Sequence, residues 1–160
     1  MDALKSLFSD FDLSAFVPDV ASVLGWVELM LRIAVMAGPL LLLGFGLIYL
    51  LAPPKEANHM LGYRCWWGMA SLEAWQFTQR LAGSIWGILG LVLTMVMSLL
   101  CNAFRRMEPM DMIMSAGQCL LWELGLLIVA CLVINLVVFC LFDRKGFRRS
   151  RNRRDAEEEE

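Results

Sequence analysis

The sequence predicts an all-α integral membrane protein with three transmembrane helices and an N-terminal interfacial amphipathic segment. Composition is the first reason: of 160 residues 59% are hydrophobic and 19% charged, against about 45–50% and about 25% in a soluble domain. The mean hydropathy is +0.61. The second reason is distribution, because the apolar residues fall into three blocks, each long enough to cross a hydrocarbon core of about 30 Å. The third is punctuation by Pro53-Pro54 and by Met107-Glu108-Pro109 between the blocks. This balance excludes a soluble multidomain enzyme, a disordered regulator and an evenly basic nucleic-acid binder, so no direct nucleic-acid contact is expected.

Residues 1–24 form the amphipathic segment. Leu4, Phe8, Phe11 and Phe16 recur at loose helical intervals, and Pro18 interrupts them. Asp2, Asp10, Asp12 and Asp19 stand against Lys5, the reverse of the basic start of a cleaved signal peptide. A short helix lying in the interface is the expectation, on the extracytoplasmic side. The first span is placed at 25–52, around the charge-free run Ile33 to Ala52.

A loop at 53–71 follows, long for a connection between neighbouring spans and rich in aromatics and glycines. Gly62 suits a turn with positive φ. Ser71 is placed to cap the next helix, with Glu73 in its first turn near the positive end of the dipole. Arg64 is expected to pair with Glu73, and Trp66, Trp67 and Trp75 to lie at the headgroup level.

The second span belongs to a helix at 72–103. Gly83, Gly87, Gly90, Thr94 and Ser98 recur at intervals of three and four, a stripe of small residues that lets a second helix approach closely in lipid. An external loop at 104–111 opens a methionine-rich stretch with Met107, Met110, Met112 and Met114. The third span, 112–142, carries two polar exceptions, Glu123 and Asn135. An ionisable residue inside a membrane is a functional candidate by default. The tail, 143–160, is basic and then acidic.

Orientation follows from the basic residues. Lys55, Arg64 and Arg80 lie between the first two spans, and Arg144, Lys145, Arg148, Arg149, Arg151, Arg153 and Arg154 follow the third. Lys5, Arg32, Arg105 and Arg106 fall on the other side. The positive-inside rule therefore puts the 53–71 loop and the C-terminus in the cytoplasm and the N-terminus outside. The basic cluster after the third span reads as a topology anchor for anionic lipid.

No catalytic constellation is present in the sequence. Five cysteines without a CxxC and one histidine, His59, offer neither a disulfide framework nor a zinc site, and no cofactor is expected. The thioethers of the methionine-rich stretch suit Cu(I), but Met95 and Met97 in the second span are spaced by two and fall on different helix faces.

The loop carries a resemblance. Asn58, Gly62, Tyr63, Arg64, Met69, Glu73, Trp75 and Arg80, followed by a span rich in small residues, are similar to the pattern of the SdpI-like bacterial membrane proteins. That family is named for the immunity protein of the sporulation-delaying-protein toxin system. The chain departs from the pattern at Cys65, Gly68 and Gln79, where the family has Thr, Ser and, nearby, Asn. The resemblance implies a multi-pass protein of the bacterial plasma membrane, and the residues themselves support no enzyme. For the namesake it also implies protection from a secreted peptide toxin and capture of a cytosolic repressor-like protein. Two further readings stay open: a small transporter or channel component using Glu123, and a copper-handling membrane protein. The small-residue stripe also fits a homo-oligomer.

Overall fold

A computed structural model describes residues 19–54 and 62–149. The expected amphipathic segment up to residue 18, Asn58, and the charged tail from residue 150 lie outside the described residues. The rest is three long helices: α1 (Val20–Leu51), α2 (Leu72–Ala103) and α3 (Pro109–Leu141). All three are long and apolar enough to cross a membrane. At about 1.5 Å per residue each is roughly 48 Å long, enough for the hydrocarbon core and both interfaces.

The outward faces are as apolar as the core. Leu41, Ile88, Leu99, Leu121, Leu132 and Leu136 are all exposed, the pattern of helices surrounded by hydrocarbon rather than water. Membrane location and contact with the lipid bilayer follow from this surface.

Helices α1 and α2 make the closest crossing, because glycine allows it. A Cβ on Gly46 would collide with the backbone of Gly87, and one on Gly90 with the backbone of Leu43. A Cβ on Gly83 would lie 3.0 Å from Cβ of Tyr49. The stripe of Gly83, Gly87 and Gly90 thus meets α1, while Thr94 turns its hydroxyl to its own helix, donating to the Gly90 carbonyl at 2.7 Å. Ser98, placed on the same stripe by spacing, is exposed. The sequence reading overlooked Gly46, which completes the crossing from the other side.

Helix α3 starts earlier than expected. Pro109 stands at its first turn, where a missing N–H costs nothing. The connection from α2 is therefore only the 3-10 turn Phe104–Arg106 with Met107 and Glu108. Met110 belongs to α3 rather than to the loop, and the methionines of this turn diverge: Met112 is buried, whereas Met110 and Met114 are exposed.

Candidate functional site

The loop before α2 folds onto the bundle through a small set of polar contacts. Gly62 has φ of 125°, a conformation that side chains disfavour. A Cβ there would also stand 2.7 Å from the ring of Trp75. This turn delivers the backbone of Tyr63 to the side-chain amide of Gln79. Gln79 accepts from the Tyr63 N–H at 2.8 Å and donates to its carbonyl at 2.8 Å. One side chain thereby stands in for a strand partner and satisfies a backbone that has left regular structure.

The Tyr63 ring continues inward. Its hydroxyl donates to the Cys131 carbonyl at 3.2 Å and accepts from Nδ2 of Asn135 at 2.7 Å, and Asn135 also donates to Cys131 at 2.8 Å. Burial pushes the phenol well above its ordinary range, so the hydroxyl remains a donor. Edge-on contact with Trp86 at 5.4 Å between ring centres supports the ring from the side.

Trp75 is fully buried, so its ring packs inside the protein rather than facing lipid. Its indole N–H donates to the Pro54 carbonyl at 3.0 Å, tying the end of the first span to α2. Trp75, Thr78, Gln79 and Ala82, all buried, fall on one face of α2 at helical spacing. Trp66 is 83% exposed, and Trp67 packs edge-on against Phe139 at 4.9 Å.

Between them, residues 65–70 form a tight turn. The Gly68 N–H lies 3.3 Å from the Cys65 sulfur, and the Met69 N–H donates to the Cys65 carbonyl at 3.2 Å. Burial pushes the Cys65 thiol up, with the Gly68 N–H and the Thr78 hydroxyl pulling it part of the way back. Ser71 then caps α2 as its position predicts, accepting from the Ala74 N–H at 3.1 Å, with Glu73 in the first turn.

The chain leaving α3 returns to the same place. Asp143 accepts the backbone N–H groups of Lys145 and Phe147, each at 2.9 Å, and Gly146 adopts φ of 77°. The Ser71 hydroxyl donates to the Gly146 carbonyl at 2.7 Å, which locks this turn to the start of α2.

The motif residues therefore divide into two sets. Gly62, Tyr63 and Trp75 converge inward, joined by Gln79 and Asn135. Arg64, Met69, Glu73 and Arg80 are exposed and face outward. Arg64 and Glu73 form no ion pair with each other, which corrects the expected pairing: each ends in solvent, where an ion pair gains little. Arg80 and Glu73 instead line a cleft of about 200 Å³ with Gln76, Phe77, Phe142 and Arg148. A neighbouring cleft of about 370 Å³ is bounded by Leu51, Pro53, Pro54, Gln76 and Arg80.

Sequence reasoning missed Gln79 as a site residue. The available signal was an amide four residues after Trp75, on the same helix face, at the mouth of an apolar span. Asn135 was singled out, and the structure gives it Tyr63 as its partner. Glu123, the other polar residue of the third span, lies elsewhere, against Gly38 of α1.

Three apolar helices with a folded, hydrogen-bonded loop at one end define a small multi-pass membrane protein whose organised part is that loop. The model of one protein family, the SdpI/YfhL protein family, matches residues 55–142. This is more than half of the chain, and the chain belongs to that family. The match runs well beyond the 58–80 stretch that carries the resemblance, through α2 and α3 to Phe142. Tyr63, Gln79 and Asn135, which build the inner frame, all fall inside it. No curated protein and no solved structure shows significant similarity to the chain.

Proposed function

We propose that this protein is a non-enzymatic immunity or signalling protein of the bacterial plasma membrane. It counters a membrane-active peptide toxin and presents the outer face of the 53–71 loop to a cytosolic repressor-like partner. The observation that carries this reading is the division of the motif. Tyr63, Trp75 and Gln79 spend their hydrogen bonds on holding the loop behind the Gly62 turn, whereas the side chains of Arg64, Trp66, Met69, Glu73 and Arg80 are exposed. A rigid frame that presents mixed charge and one large exposed aromatic is what a docking surface requires. The immunity role comes from family membership, and the cytoplasmic placement of the loop from the distribution of Lys and Arg.

The experiment has two arms. Cells expressing the chain are challenged with the sporulation-delaying toxin peptide, and survival at a dose that kills vector controls supports immunity. Killing at the same dose would remove that arm. A photo-crosslinking residue in place of Trp66 should give a discrete adduct in living cells, and one in place of Leu99, which is 75% exposed on the lipid-facing surface, should not. Equal adducts at both positions would sink the docking surface.

A further inference from the structure

Glu123 lies fourteen residues into α3, near the middle of the third span, and is only 8% exposed. Its Oε1 is buried without a hydrogen-bond partner. Its Oε2 occupies the gap beside Gly38, where a Cβ would come within 2.8 Å of it. The next residue on α1 is Pro39, inside the helix and fully buried. Proline has no N–H, so the carbonyl of Val35, one turn earlier and itself buried, lacks its helical donor. The carboxyl of Glu123 is thus placed against Gly38, next to the proline that removes the i+4 donor of the Val35 carbonyl.

The surrounding charges do not complete this site. Cys119 on α3 and Cys101 on α2 lie within electrostatic reach of Glu123, and Cys101 also senses Arg32 of α1. Arg32 is engaged by Glu28 at 2.6 Å, and Glu28 approaches Arg105 beyond α2 at 4.0 Å. Arg32 thus has Glu28 as its acid partner, although its Nε and Nη2 are buried without hydrogen bonds. A buried carboxyl without a cationic partner is costly in hydrocarbon, and a carboxyl beside a backbone carbonyl that has lost its helical donor offers the oxygen ligands a small cation takes.

We propose that Glu123, with the α1 backbone beside Gly38 and Pro39, is an intramembrane exchange site for a small monovalent cation, a proton or a sodium ion. This goes beyond the docking role of the loop and does not depend on it.

The test uses the full chain in detergent micelles and dicyclohexylcarbodiimide, an apolar reagent that modifies protonated carboxyl groups in apolar surroundings. Modification of the peptide containing Glu123 is followed by mass spectrometry across a pH series, with sodium chloride or choline chloride. Glu123→Gln confirms the assignment of the adduct, while the measurement itself is made on the unaltered protein. A several-fold fall in rate with rising pH, equal in the two salts, identifies the proton. A several-fold fall in sodium chloride but not in choline chloride identifies sodium. Absence of an adduct at Glu123, or a rate flat in pH and in both salts, overturns the exchange site.

Discussion

At the loop end of the bundle, most buried polar side chains are partnered: Gln79 with both backbone groups of Tyr63, Tyr63 with Cys131 and Asn135, Trp75 with Pro54, Thr78 with Ala74, the indole N–H of Trp86 beside Tyr63 being the exception. Near the middle of α3, Glu123 has an oxygen with no such partner, and Arg32 on α1 has buried nitrogens without hydrogen bonds despite its contact with Glu28. Both regions place polar atoms in an apolar protein, yet one is held by a connected hydrogen-bond network and the other is open. A satisfied buried network rigidifies, whereas an open one is costly unless something else binds there. The difference assigns architecture to the loop end and exchange to the level of Glu123.

Removing Gln79 should break the connected network most completely. In Gln79→Leu the N–H and carbonyl of Tyr63 both lose their partner at a half-buried position. Each orphaned group costs about 1–3 kcal/mol, so a loss near 3 kcal/mol is expected. Thermal unfolding in detergent measures it. A loss under about 1 kcal/mol would mean that the loop is held by apolar packing, and the contrast between the regions would lapse.

The helix crossing between the two regions offers the next largest effect. Gly90→Ala drives a methyl group into the Leu43 backbone, an overpacking worth about 2 kcal/mol. Gly87→Ala is the control, since a Cβ there would meet Leu50 at an ordinary 3.8 Å. Equal losses for the two would show that the crossing is looser than the glycine contacts require.

A smaller effect is expected from Tyr63→Phe. The hydroxyl bonds vanish, but Asn135 keeps the Cys131 carbonyl at 2.8 Å and the ring keeps its contact with Trp86. About 1 kcal/mol should be lost, the ordinary net value of a hydrogen bond. Pairing this change with Asn135→Leu in a double-mutant cycle tests the coupling. Additive losses would indicate that Asn135 serves its own helix alone.

How much of this was legible in the sequence depends on how local the cause is. The three spans, the Ser71 cap and the turn at Gly62 rest on a few consecutive residues and could be read directly. The small-residue stripe could be read as a face, but its partner could not: Gly46 lies on another helix, and nothing in spacing says which helix comes close. Arg64 and Glu73 look like a pair because opposite charges nine residues apart suggest one, yet at an interface each is as well served by water. Trp66 and Trp75 are chemically alike, and only the helical register of α2, which places Trp75 with Thr78, Gln79 and Ala82, separates the buried one from the exposed one. Helix α3 begins three residues before the expected 112, because Pro109 suits a first turn and Met110 continues the apolar run.

The smallest expected effect separates the two regions most sharply. Glu123→Met replaces a buried carboxyl by an apolar side chain of similar length, against a glycine that leaves room for it. The protein loses a charge-bearing group that has an unpartnered oxygen, and it gains apolar contact. Exchanging a poorly compensated buried charge for a hydrophobic group is often neutral or stabilising, so the change in unfolding free energy should stay within about 1 kcal/mol of zero, in either direction. This is the opposite of Gln79→Leu, though both remove one polar side chain from the same bundle. The comparison is made by thermal unfolding of both variants in one detergent at one pH. If Glu123→Met costs as much as Gln79→Leu, then Glu123 has a structural partner, its level of the bundle is held like the loop end, and the exchange site loses its physical basis.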